Sequence, residues 1–319
     1  MIEHYVKSHI GQRDLNEDNY LIDEEMGLYI VADGVGGLEK GEVASRLTCD
    51  LIQKNLLQGM SLVASIEAAH KTIVNELTLN NKNIGMASTV VVVKFDQNNY
   101  EIAWVGDSRV YLWDGELKLL TRDHSYLELL HSSGHIDIDD FNDNPNKNVI
   151  LQAIGIENKS IEVATNKGTL EKNQILLMTT DGLYEVVKEQ KVIEYLSEKK
   201  SIRKMTQLMV NDAVKSGGKD NITLLMIKSN QSVNQEDFIK PDLVRKFDAE
   251  TGMATELKED INKIPEKPDE GATKIILPKN LSDIEPKNKM KTSTSKGATE
   301  IFLILSIIVA IVIIMVLLM

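Results

Sequence analysis

Four aspartates stand at the ends of apolar runs, each followed by a small or amide residue. Asp33-Gly34 closes the run 28–32, Asp107-Ser108 closes 102–106, Asp181-Gly182 closes 175–180, and Asp220-Asn221 opens 222–227. Apolar runs of this length read as buried strands. A chain built this way must bring several carboxylates to strand ends. Carboxylates there, with glycine admitting a close approach of backbone, are how a sheet edge holds hard divalent cations. One Asp-Gly is an ordinary turn; four in one chain point to metal chemistry.

The bulk numbers agree. With 319 residues, 42% of them hydrophobic, the chain can bury a large core and still carry extra segments. A net charge of −12 argues against general nucleic-acid binding, which needs a basic surface, and suits a protein that collects Mg²⁺ or Mn²⁺. The single cysteine, Cys49, allows no internal disulfide and is expected in a reducing compartment. The start Met1-Ile2-Glu3-His4-Tyr5 does not read as a signal peptide.

Composition shifts near residue 229. Pro241, Pro265, Pro268, Pro278 and Pro286 follow that point, among mixed charges and few aromatics. The expectation is a folded domain over 1–228 and a disordered linker over 229–299, because such a stretch buries too little to offset its ordering entropy. Ile301 to Met319 is apolar and uncharged. As a helix it spans roughly 28 Å, close to the hydrocarbon thickness of a bilayer. Residues 300–319 are therefore expected to form a transmembrane tail anchor. Lys287, Lys289, Lys291 and Lys296 keep the preceding side cytoplasmic by the positive-inside rule.

Within 1–228, strands are expected near 2–8, 19–23, 28–33, 88–95, 100–105, 109–113, 116–120, 175–180 and 222–228. Helices are expected near 40–57, 61–79, 126–133, 185–197 and 201–216. Strands joined by short turns favour antiparallel pairing. The class is α+β, helices packed outside a sheet sandwich.

The chemistry-bearing motifs come in order. Arg13-Asp14-Leu15-Asn16-Glu17-Asp18 sets an arginine beside acids: Arg13 can hold a phosphate bidentately and Glu17 a metal-bound water, or the segment is a solvated charged turn. Val31-Ala32-Asp33-Gly34-Val35-Gly36-Gly37 is followed by Gly41-Glu42-Val43-Ala44-Ser45. Ala87-Ser88-Thr89 opens a valine-rich strand and is read as structural. Then come Val105-Gly106-Asp107-Ser108-Arg109, Thr121-Arg122-Asp123-His124-Ser125, Thr180-Asp181-Gly182-Leu183 and Asp220-Asn221-Ile222-Thr223. Arg109 is read as a buried partner for a carboxylate, or a site residue; His124 as structural more than a ligand.

Taken together and in this order, these motifs resemble the bacterial metal-dependent (type 2C, PPM) protein serine/threonine phosphatases, over essentially residues 1–228. The resemblance implies an α-β-β-α fold, a central β-sandwich flanked by helical layers. The segment from His131 to Ile156 is similar to that family's flap. The resemblance further implies that Asp33 bridges two metals, that the Gly34 carbonyl binds the first with Glu17 acting through water, and that Asp181 and Asp220 hold the second. Asp107 resembles the ligand of a weaker third ion, with Asp181 contributing, and Arg13 would grip the substrate phosphate. Two Mn²⁺ or Mg²⁺ ions about 4 Å apart would activate a shared water for in-line attack on phosphorus. Where some members carry a histidine after Asp-Gly, this chain has Val35.

The expected partners are phosphorylated proteins, a cognate Ser/Thr kinase and the membrane. A catalytically weak phosphoprotein-binding scaffold of the same fold, and a small-molecule phosphatase, are the alternatives. Three echoes follow the domain, Gly-x-Ala-Thr ending at Thr255 and Gly-Ala-Thr ending at Thr273 and Thr299. Thr273, after Asp269-Glu270 and with Ile276 at plus three, resembles a phosphothreonine site read by a forkhead-associated domain; chance likeness in a linker is the competing reading.

Overall fold

The computed structural model describes residues 2–35, 40–79, 86–141, 144–156, 160–198, 200–233 and 238–256. The elements are β1 (Ile2–His9), β2 (Asp18–Asp23), β3 (Leu28–Val35), α1 (Lys40–Leu57), α2 (Leu62–Leu79), β4 (Ala87–Ser88), β5 (Val90–Asp96), β6 (Asn99–Val105), β7 (Arg109–Trp113), β8 (Leu117–Leu119), α3 (Tyr126–Ser132), a 3₁₀ turn (Ile138–Asp140), β9 (Ala164–Thr169), β10 (Ile175–Thr179), α4 (Asp181–Tyr184), α5 (Glu189–Ser197), α6 (Ile202–Lys215), β11 (Ile222–Ser229), β12 (Arg245–Phe247) and β13 (Ala254–Glu256).

They form two sheets. One runs β1-β11-β10-β7-β8-β12-β13; the other runs β2-β3-β5-β6-β9, with β4 beside β3. The pairings between these strands are antiparallel, as expected. Side chains alternate across each strand, so a strand covered on both faces must be apolar throughout. In β3, Tyr29 and Val31 face the layer between the sheets, where they meet Val91, Val93, Trp104, Leu176 and Leu225. Leu28, Ile30 and Ala32 face the other way, onto Ala44, Ile52, Ile66 and Ile73 of α1 and α2. On the second sheet, Leu177, Leu224 and Met226 face out against Ile193, Leu196, Met205 and Met209 of α5 and α6. This is the expected sandwich between helical layers.

The expected boundary at 228 is corrected. β12 hydrogen-bonds to β8 and β13 to β12, so the seven-stranded sheet is completed by residues assigned to the linker. Before β12, the segment runs along the edge of β9: the Thr169 amide donates to the Ile239 carbonyl at 2.9 Å, and the Asn166 side-chain amide to the Asp242 carbonyl at 2.7 Å. Val244 and Phe247 are buried in the core beneath α5 and α6, and Leu243 packs on the layer between the sheets. These apolar side chains offset the cost of ordering a charged stretch. The first Gly-x-Ala-Thr echo is thus the turn into β13. Among the described residues no helix is long and apolar enough to cross a membrane; the expected anchor over 300–319 and Thr273 lie outside the described residues.

Candidate metal centre

The antiparallel registers carry the acidic residues to one end of the sandwich. Asp18 opens β2 directly opposite Asp33 in β3. Asp107 follows β6, Asp181 begins α4 straight after β10, and Asp220 precedes β11. Gly34 and Gly41 let Glu17 pass between them. A Cβ on Gly34 would stand 2.1 Å from the Gly41 carbonyl oxygen, and one on Gly41 would stand 2.3 Å from Glu17 Oε1. The Gly41 amide donates to that same Oε1 at 3.2 Å. No residue larger than glycine fits either position.

The supporting shell is built from hydroxyls and amides. Asn221 accepts from the Glu17 amide at 2.7 Å and donates to the Ile10 and Leu15 carbonyls at 2.8 and 2.9 Å, which stitches the Arg13–Asp18 loop to β11. Thr89 accepts from the Asp33 amide at 3.3 Å and donates its own amide to the Asp33 carbonyl at 2.8 Å. The structural reading of Ser88-Thr89 therefore holds. So does that of His124, whose ring accepts from the Gly106 amide at 3.2 Å while its backbone amide donates to the Gly106 carbonyl. Arg109 is the buried partner of Asp123, held bidentately at 2.7–3.1 Å, and its guanidinium lies 3.7 Å from the centre of the Tyr184 ring. The Tyr184 hydroxyl donates to the Asp107 carbonyl at 3.0 Å.

Asp18 is a site residue that the sequence motif did not single out. Its Oδ2 accepts from Thr180 at 3.0 Å and from Thr223 at 2.7 Å. Its burial pushes it up to about 7, with Asp220 and Glu17 adding to the rise and the two hydroxyls opposing it. Asp107 is likewise pushed to about 7, by burial and then by Asp123. Asp33 and Asp181 are raised well above the carboxylate range, again by burial first and then by neighbouring aspartates. Buried carboxylates that repel one another are stable as anions only with a cation among them.

The residues fit a hard cation on two further counts. Asp18 Oδ1 and Asp181 Oδ1 are buried without a hydrogen-bond partner, and the donor set is carboxylate and carbonyl oxygen. Among the described residues, no three acidic, cysteine or histidine side chains gather tightly enough to close on one ion. Arg13 is placed beside the carboxylates: its Nη2 donates to Asp220 Oδ2 at 2.6 Å and its Nε to the Lys219 carbonyl at 3.2 Å.

A family profile described as Protein phosphatase 2C matches residues 7–215. The chain is 34% identical over 236 residues to the serine/threonine phosphatase stp of Listeria innocua, across 68% of this chain and 92% of that protein. The structure of the S. agalactiae serine/threonine phosphatase matches with a TM-score of 0.65 at 28% identity, over 72% of this chain and 99% of that one. The catalytic domain of PstP, solved in complex with two manganese ions, shares the fold with a TM-score of 0.62 at 24% identity, over 71% and 97%. Motif order, sandwich topology and acidic strand ends agree with these likenesses, and the chain belongs to the protein phosphatase 2C family of serine/threonine phosphatases.

Proposed function

We propose that this phosphatase hydrolyses phosphoserine and phosphothreonine on proteins in a reaction that requires Mn²⁺ or Mg²⁺, opposing a Ser/Thr kinase at the cytoplasmic face of a membrane. The observation that carries the metal requirement is the set of mutually repelling carboxylates at one end of the sandwich, Asp18 and Asp107 buried and Asp33 and Asp181 half-buried. Asp33, the Gly34 carbonyl, Asp181, Asp220 and, through water, Glu17 would hold two ions, and Asp107 with Asp181 a third. When bound, such ions polarise phosphoryl oxygens and make water acidic enough to attack at neutral pH. Arg13 supplies a cation at the rim, which can turn from Asp220 toward an incoming phosphoryl group. Asn221 and Thr89 hold the loop and strand that position these groups.

A covalent thiol route is disfavoured. Cys49 is buried among the α1 and α2 side chains, and burial pushes its thiol far up, away from the reactive thiolate. Full-length protein should hydrolyse p-nitrophenyl phosphate and phosphothreonine peptides with Mn²⁺ and lose both activities in chelator. Undiminished turnover in excess EDTA would refute the metal mechanism. Binding of phosphopeptides without turnover in Mn²⁺ would favour the scaffold reading.

The membrane reading rests on the apolar run 301–319 and the lysines before it. It predicts that the intact protein sediments with membranes and that deleting 301–319 releases it with peptide turnover unchanged. A wholly soluble intact protein would end it. The Thr273 reading rests on its acidic approach and on Ile276. Phosphosite mapping of the Asp33→Asn form co-expressed with the cognate kinase tests it; an unmodified Thr273 beside other labelled sites would discard recruitment of a forkhead-associated partner.

A further inference from the structure

The segment that completes the seven-stranded sheet also reaches the base of the 131–156 loop. Arg245 of β12 and Glu128 of α3 are both almost fully buried, with side chains 4% and 3% exposed. Arg245 Nη2 donates to Glu128 Oε2, and Arg122 Nη1 to Glu128 Oε1 at 2.8 Å. Glu256 of β13 adds a second grip. Its Oε1 lies 2.9 Å from His131 Nε2, at the end of α3, and 3.8 and 3.9 Å from Arg122 and Arg245. The Arg245 guanidinium also faces the Phe141 ring at 5.6 Å, and that ring packs edge-on against His131 at 5.7 Å. A guanidinium and a carboxylate from the C-terminal hairpin therefore hold both α3 and the first part of the loop.

The loop returns to the acidic end of the sandwich, beside α4. The Tyr126 amide donates to the Val149 carbonyl at 2.8 Å, and the Leu151 amide to the His124 carbonyl at 2.7 Å, which closes the loop at its neck. Lys147 reaches Glu185 at 3.9 Å, and Glu185 caps the short helix that begins with Asp181. Buried charges hold a geometry tightly, because any displacement leaves one of them desolvated and unpaired. An Arg–Glu pair buried between a C-terminal strand and the base of an active-site loop fixes the position of that base.

We propose that Arg245 and Glu256 are positioning residues for the 131–156 loop, through which the C-terminal hairpin sets the affinity for phosphoprotein substrates. The inference rests on the function proposed above and adds to it the control of substrate binding. A phosphopeptide extends beyond its phosphate and meets the loop; p-nitrophenyl phosphate is too small to need it.

The test compares full-length wild type with Arg245→Met, Arg245→Lys and Glu256→Gln. Glu256 is a third exposed, so its variant keeps the fold even if an Arg245 variant does not. Expected are a three- to tenfold higher KM for a phosphothreonine peptide, kcat within twofold, and unchanged constants for p-nitrophenyl phosphate. Amide hydrogen exchange should quicken in 131–156 and stay unchanged in β10 and β11. Arg245→Lys should recover part of the loss that Arg245→Met shows. Unchanged KM and loop exchange in Glu256→Gln and Arg245→Met would overturn the proposal. So would a matched loss of kcat on both substrates with faster exchange throughout, which marks a general structural role. Wild type without activity on either substrate would instead defeat the proposed function, while the exchange measurement would still decide the positioning role.

Discussion

Replacing Phe247 by alanine tests whether the chain past β11 is part of the folded unit. Phe247 is 7% exposed, packs with the core beneath α5 and α6, and sets its ring 6.1 Å from that of Tyr111. Truncating a buried phenylalanine costs ~3–5 kcal/mol, from lost transfer energy and the cavity left behind. In a unit of this size each kcal/mol moves the midpoint by about 2–4 °C, so Phe247→Ala should lower Tm by roughly 6–20 °C. Phe238 lies in the same segment but is 42% exposed. Its alanine variant should stay within about 0.5 kcal/mol of wild type, as surface changes do. Thermal unfolding followed by far-ultraviolet circular dichroism reads both. Equal, small shifts for the two variants would refute the packing of this segment. A large shift for Phe238→Ala alone would mean that the registry of 238–247 is wrong.

Four further outcomes follow from the site. Asp33→Asn and Asp181→Asn should each remove nearly all turnover and weaken Mn²⁺ binding by calorimetry, while Asp107→Ala should cost less; wild-type turnover in Asp33→Asn would break the ligand assignment. Arg13→Ala should raise KM roughly ten- to a hundredfold, the equivalent of a lost charged hydrogen bond of ~1.5–3 kcal/mol, with a smaller change in kcat. Asp18→Ala should weaken Mn²⁺ binding without moving Arg13; calorimetry identical to wild type would make Asp18 purely structural. In chelator, stability should fall as pH rises, because Asp18 and Asp107 titrate near about 7 in the fold and near 3.8 in the unfolded chain. The folded state then binds more protons across that window, and its advantage is lost as pH climbs through about 7. Mn²⁺ should therefore raise Tm more at pH about 8 than at about 5.5, and an equal gain would contradict it.

The sandwich was legible because strands buried on both faces are apolar without alternation, as in Val90–Val93 and Leu224–Ile227. β9 escaped notice because Thr165, Asn166, Lys167 and Gly168 read as a loop; its pairing with β6 depends on a partner far along the chain. β12 and β13 are three residues each within a charged stretch, too short for any period to show. The helix expected over 185–197 starts later, at Glu189, and the one-turn α4 (Asp181–Tyr184) ahead of it, too short to show a period, was not expected. The gathering of Asp33, Asp107, Asp181 and Asp220 at one end of the sandwich was legible from their places at the ends of apolar runs. Asp18 was not, since one acid among several in a charged loop gains meaning only from its register with Asp33. Glu128 looks like a solvated helical residue until Arg245, from far downstream, is folded against it.

The seclusion of Cys49 has a practical consequence for spectroscopy. The only sulfhydryl of the chain is 3% exposed inside α1, so the native protein should be silent to maleimide dyes without any cysteine having to be removed. A single cysteine introduced at the exposed Ser133, just after α3, would then carry the sole reactive thiol. A fluorophore or spin label there would report on the loop in an otherwise unaltered phosphatase.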